Sequence, residues 1–168
     1  MARRPYRTLF LCTGNSARSL MAECALARWG GEGFRAFSAG SHPKGAPHPL
    51  TLELLRRLRY DVSGLRSKSW DEFAAAGASP LDFVFTVCDR ARGEVCPVWP
   101  GQPVTAHWGS DDPVLAEGDD EQKLRVFRRV YTELENRIKL FVSLPIASLD
   151  RLALARRVQA IGKTDPIP

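Results

Sequence analysis

The 168-residue sequence has no apolar run approaching the roughly 20 residues of a membrane span and no targeting segment, so a soluble, cytoplasmic protein without membrane contact is expected. It is also too short for two ordinary domains. One catalytic domain over 1–168 is expected, with 1–5 a flexible basic arm and 163–168 a loose tail. Histidine is scarce, and none of the three stands at metal-ligand spacing to a Cys pair; His42 and His48 read as surface polar residues, and no metal is expected. Lys and Arg exceed Asp and Glu by 24 − 19 = 5. That excess is spread over predicted helix faces (Arg56, Arg57, Arg59; Arg125, Arg128, Arg129; Arg156, Arg157) without an aromatic stacking platform, which argues against a nucleic-acid partner and suits an anionic substrate. Cysteine is sparse too, at four residues, and in a reducing compartment thiols stay free unless they serve redox or metal chemistry.

What the sequence does have is Leu9-Phe10-Leu11-Cys12-Thr13-Gly14-Asn15-Ser16-Ala17-Arg18-Ser19, an apolar strand running into Cys, five residues, Arg and a helix. Successive N–H groups of a tight Gly-containing loop form an anion nest, a helix opening near Ser19 adds its positive end, and Arg18 supplies a bidentate fork. Thr13, Gly14, Asn15, Ser16, Ala17, Arg18 and Ser19 are therefore the candidate oxyanion-binding residues. The same field favours a thiolate, so Cys12 is expected to titrate below a free thiol and to act as a nucleophile. Ser16 and Ser19 hydroxyls can donate to the anion or the sulfur. The plainer alternative is a buried Cys ending a strand, with an unrelated Arg after it.

Apolar patterning predicts strands over 6–11, 34–39, 81–87 and 104–108, and helices over 19–29, 51–59, 119–141 and 149–161. Ser69 followed by Glu72 is the capping-box pattern of a further short helix, and Cys24 falls on the core face of the first helix. Strands alternating with helices predict an α/β fold with a parallel sheet, whose ligands bind at the carboxyl ends of the strands. Cys12 and Cys88 both lie just past strand ends, so residues distant in sequence share one rim. Cys88 and Cys96 flank a seven-residue interval that reads as a dithiol relay, with two inert thiols as the alternative. In His107-Trp108-Gly109-Ser110-Asp111-Asp112-Pro113 two carboxylates follow a strand on the same rim, and either is placed to exchange a proton with an anion over Cys12, unless the segment is simply an Asp-Pro turn.

The residues from Leu11 to Ser19, Ser38-Ala39-Gly40-Ser41 and Asp112-Pro113 resemble the low-molecular-weight protein tyrosine phosphatase superfamily. Cys88, Cys96-Pro97 and His107-Trp108-Gly109 are similar within it to the cytoplasmic arsenate reductases that regenerate through an internal disulfide. The resemblance covers about 6–145. It implies a three-layer, low-molecular-weight-phosphatase-like fold with a four-stranded parallel sheet, and the reduction of arsenate to arsenite without a bound cofactor. In the roles it implies, Cys12 attacks arsenate held by the loop and Arg18, and Asp112 assists proton transfer. Cys88 then attacks Cys12 and releases arsenite, and Cys96 takes over the disulfide for reduction by a thiol donor such as thioredoxin. Lys68 falls where some of these reductases carry an acidic ligand for a monovalent cation; its ammonium is expected to replace that cation near Asn15, Glu23 and Ser38.

Two other function classes compete. A phosphatase would use Cys12, Arg18 and Asp112 with Cys88 and Cys96 as spectators, although Val114-Leu115 stand where tyrosine phosphatases carry an aromatic pair. A non-enzymatic oxyanion or redox sensor would need no proton donor, which Asp112 counts against.

Overall fold

The computed structural model describes residues 3–89 and 97–164. Four strands, β1 (Tyr6–Cys12), β2 (Phe34–Gly40), β3 (Phe83–Thr86) and β4 (Val104–His107), form one parallel sheet in the order β2-β1-β3-β4. Helices α1 (Arg18–Gly30), α2 (Pro49–Arg57), α3 (Asp71–Ala74), α4 (Asp120–Val142) and α5 (Arg151–Ile161) connect and flank them. None of the described helices is long and apolar enough to cross a membrane.

Alternation along the strands sends side chains to opposite faces. Phe10, Phe83 and Phe85 point to the larger core, where α1, α4 and α5 bring Met21, Phe127, Phe141 and Val158 against them. Leu9, Leu11 and Val84 point the other way, under Trp99 and the Trp70-Phe73-Ala74 stretch that includes α3. Helical segments on both sides of a sheet give the expected three layers. Trp108 is fully buried, stacked on Phe85 at 4.0 Å between ring centres, and its indole donates to Val158 O at 2.9 Å, so the end of β4 is tied to α5.

Several local expectations are corrected. Ser69 and Glu72 do not form a capping box: the Ser69 hydroxyl accepts from Asp71 N–H, while Arg66 draws Glu72 into an ion pair at 2.6 Å. The reciprocal box sits instead at the start of α4, between Asp119 and Gln122. His48 caps α2 by accepting from Leu50 N–H at 3.1 Å, and is half-buried against Phe127. From Arg3 on the basic arm is anchored, Arg4 making a bidentate pair with Asp82 at 2.9 Å on both oxygens. Lys163 and Thr164 continue from α5 in hydrogen-bonded turns, and 165–168 of the expected tail lie outside the described residues.

The topology places the carboxyl ends of β1, β3 and β4 side by side. Leu11 pairs with Thr86, Thr86 pairs with His107, and Val87 N–H donates to Leu11 O at 2.8 Å. The residues that follow these strand ends are Cys12 and Thr13, Cys88, and the Trp108 to Asp112 segment.

Candidate active site

The loop between β1 and α1 is wrapped by segments that occupy its carbonyls. Thr13 O, Gly14 O and Ser16 O accept from the backbone N–H groups of His42, Lys44 and His48 at 2.9, 3.0 and 2.9 Å. The hydroxyls of Ser67 and Thr51 add bonds to Gly14 O and Ser16 O. Among the described residues no backbone carbonyl accepts from the N–H groups of Gly14, Asn15, Ser16 or Ala17. Carbonyls turned outward and amides left over are what an anion-binding concavity requires. Asn15 holds the turn with φ of 45°, a left-handed conformation that Asn tolerates. Gly40 lets the loop lie against β2, since a Cβ there would stand 2.5 Å from Thr13 O.

Cys12 lies at the base of this loop, 5% exposed. Its sulfur is 2.9 Å from the Ser19 hydroxyl, which accepts from Asn15 Nδ2 at 2.8 Å; Asn15 Oδ1 in turn accepts from Lys68 N–H at 2.9 Å. With Asn15 donating to Ser19, the Ser19 proton is available to the sulfur. The expectation of a thiol below its ordinary value is corrected: burial pushes Cys12 up, against the Ser19 hydroxyl, the Ser19 N–H and Arg18, which favour the thiolate. The sequence displayed the donors but not the loss of water around the sulfur.

A cavity of about 730 Å³ opens over Cys12 and brings together Arg18, His42, Lys44, Cys88, Asp111 and Asp112. Arg18 donates to Ser110 O at 2.9 Å and approaches Asp112 at 3.5 Å. The other oxygen of Asp112 caps the short helical turn Pro113–Leu115 by accepting from Val114 N–H at 3.0 Å. Asp111 is directed away, to an exposed pair with Arg129 at 3.7 Å. Spacing alone leaves either carboxylate eligible and the family resemblance points to Asp112; the geometry sets Asp112 beside Arg18 and Asp111 apart from it. Cys88 is buried on the same rim, with the Thr13 hydroxyl 3.8 Å from its sulfur, close enough to disfavour a Cys12 thiolate. Cys96 lies outside the described residues. Cys24 is a core thiol, pushed up to about 12 by burial first and Glu23 second. Among the described residues no group of three His, Cys, Asp or Glu is arranged to hold a metal ion.

Behind the loop, Lys68 is 9% exposed; its ammonium reaches Arg66 O at 3.0 Å, Ser38 Oγ at 3.4 Å and Glu23 at 3.7 Å. Burial lowers the Lys68 pKa and raises that of Glu23, each opposed by the other's charge. A positive group thus stands where the sequence pattern suggested one. Exchanging sodium for potassium is expected to leave Tm unchanged. Lys68→Met, which strands the Glu23 carboxylate, is expected to cost about 1–3 kcal/mol in urea unfolding.

Sequence reasoning missed His42, Lys44 and Ser110 as cavity residues. His42 and Lys44 arrive together on the loop after β2, which no spacing to Cys12 signals, and Ser110 reads in the sequence only as part of the rim segment that carries the two carboxylates.

A thiol beneath a ring of amides, an arginine fork and a carboxylate across a cavity define a cysteine enzyme class that bonds sulfur to a tetrahedral oxyanion. Comparison agrees: the chain belongs to the low molecular weight phosphotyrosine protein phosphatase family, whose model matches residues 7–154. It is 41% identical over 132 residues to an arsenate reductase of Halalkalibacterium halodurans, covering 79% of this chain and 91% of that protein. Among solved structures, an arsenate reductase from Archaeoglobus fulgidus matches with a TM-score of 0.64 at 26% identity, over 82% of this chain and 99% of that one. A thioredoxin-dependent arsenate reductase from Corynebacterium glutamicum matches with a TM-score of 0.56 at 28% identity, over 83% of this chain; the chain spans 65% of that neighbour's length.

Proposed function

We propose that this chain is an arsenate reductase working through an intramolecular disulfide relay. The observation that carries this reading is the second buried thiol, Cys88, on the rim that holds Cys12, a group that hydrolysis of a phosphate ester does not require. The 41% identity to a named arsenate reductase supports the same substrate.

In the proposed cycle the loop amides and Arg18 bind arsenate, and the Cys12 sulfur attacks arsenic as a hydroxyl leaves as water with a proton supplied through Asp112. The Cys88 thiolate then attacks the Cys12 sulfur. The arsenic–sulfur bond breaks with its electron pair remaining on arsenic, which leaves as arsenite, while the two thiols become the Cys12–Cys88 disulfide. Cys96 attacks Cys88, expels the Cys12 thiolate and forms Cys88–Cys96, which an external dithiol of the thioredoxin type reduces. Arsenic gains two electrons and two thiols lose them. The Ser19 donor stabilises Cys12 as leaving group in the last exchange. A cycle that ends by reducing a disulfide with an external thiol suits the cytoplasm.

Peptide mapping of alkylated protein after one turnover without reductant tests the relay. Wild-type protein is expected to hold Cys88–Cys96, and Cys96→Ser to accumulate Cys12–Cys88. Finding Cys88 and Cys96 both free, with aryl phosphate hydrolysis undiminished by their replacement, would move the assignment to the hydrolase.

A further inference from the structure

Arg137, on α4, is the one charged residue among the buried described residues, with its side chain 4% exposed, and no catalytic step uses it. Burial lowers its pKa, and Glu133, one turn earlier, pairs with it at 3.4 Å. Burying a guanidinium is costly unless its donors are satisfied. They are satisfied by one segment of the active-site rim and by Thr164. Nη1 donates to Gly109 O at 2.8 Å and reaches Ser110 Oγ at 3.4 Å; Nε and Nη2 reach the Thr164 hydroxyl and carbonyl, each at 3.4 Å. The Ser110 hydroxyl donates to Glu133 at 3.1 Å.

Gly109 O and Ser110 N–H belong to one peptide plane. Arg137 holds the oxygen end of that plane, and Val87 O accepts from the nitrogen end at 3.1 Å. A planar unit fixed at both ends cannot rotate. The next carbonyl along, Ser110 O, belongs to the adjoining peptide plane and accepts from Arg18 at 2.9 Å, and Asp112 follows two residues later within 3.5 Å of the same guanidinium. We propose that Arg137 is a positioning residue of the oxyanion site, orienting Arg18 through the clamped Gly109–Ser110 peptide. The brace extends past the family match, which ends at residue 154. Thr164 receives Arg137, Val158 O receives the Trp108 indole, and Gly162 lies so close under His107 that an added Cβ would strike its carbonyl oxygen.

The test needs a readout that general loss of packing would not give. Inorganic phosphate binding to Cys12→Ser protein, measured by calorimetry, is compared for Arg137→Met and Arg137→Lys, each with Arg18 intact and with Arg18→Lys, and arsenate KM in the active enzyme is compared with Arg18 intact. With Arg18 intact, Arg137→Met is expected to weaken phosphate binding and raise arsenate KM about ten-fold, since misplacement of a positioned group by about 1 Å has effects of that order or larger. Arg137→Lys, which keeps one donor for Gly109 O, is expected to recover most of the loss. With Arg18→Lys the same Met substitution is expected to change phosphate affinity less than about two-fold, because coupled residues are not additive. Equal factors in both backgrounds, or phosphate affinity unmoved by Arg137→Met, would overturn the proposal. Should Arg137→Met fail to fold, Glu133→Gln replaces it; a few-fold loss confined to the Arg18 background supports the proposal, and no loss overturns it. The kinetic arm rests on the reductase reading and the binding arm does not. Arg18-dependent loss of phosphate affinity in a protein that reduces no arsenate would uphold the positioning role and reject that reading.

Discussion

Cys12→Ser protein is expected to fold and to bind oxyanions, but to reduce no arsenate within the detection limit of a thioredoxin-coupled NADPH assay. Serine is slightly smaller than cysteine, so the buried base of the loop keeps its packing, and its hydroxyl can replace the sulfur in the contact with Ser19 at 2.9 Å. What is lost is the nucleophile, because a serine hydroxyl is weak at its free pKa and among the described residues no hydrogen-bonded general base stands beside this position. It also cannot form the disulfide that returns electrons to the site. Cys12 is held above its ordinary value by burial, so the thiolate depends on the Ser19 and Arg18 contacts; Arg18→Lys, which trades a planar fork for a point charge, is expected to be severe as well. Substantial arsenate-dependent turnover by Cys12→Ser would remove the proposed mechanism altogether.

Asp112→Asn is expected to slow the chemical step by roughly 10²–10⁴, the usual contribution of a general acid or base. Asparagine keeps the cap on Val114 N–H through its carbonyl oxygen and keeps nearly the same shape, so the turn survives while the exchangeable proton does not. Asp111→Asn is the matched control. Its carboxylate is 82% exposed and, among the described residues, pairs with Arg129 at 3.7 Å, an arrangement with little energetic consequence, and turnover is expected to stay within about two-fold of wild type. Single-turnover arsenite release measured for both variants decides the point. Equal losses would mean that neither carboxylate is the proton donor or that the wrong one has been chosen.

Most of the architecture was legible in the sequence because it depends on local order. The apolar run into Cys12, the glycine-containing loop and the helix after Arg18 specify strand, anion nest and helix within 25 residues, from Tyr6 to Gly30, and the structure keeps every boundary there within one residue. The long amphipathic helix was equally plain, with Leu124, Phe127, Val130, Tyr131, Leu134, Ile138 and Phe141 all buried on one side. Cys24 fell on the core face for the same reason, and the rim shared by Cys12 and Cys88 followed from the parallel strand pattern.

Tertiary structure alone decided the rest, because burial and long-range pairing are properties of the assembled rim. The donor set around Cys12 was readable, whereas the desolvation that outweighs it appears only when β1 is covered on both sides. Asp111 and Asp112 are adjacent in sequence and chemically identical; the resemblance through Asp112-Pro113 singled out Asp112, but only the tertiary structure gives the physical difference, aiming one at Arg18 and leaving the other to Arg129. Arg137 looks like any helix arginine until Gly109, Ser110 and Thr164 gather around it. Its position fits the α4 pattern, but apart from Glu133 its partners lie 27 and 28 residues away along the chain, and a periodicity that reports which face is buried carries no record of what meets it there.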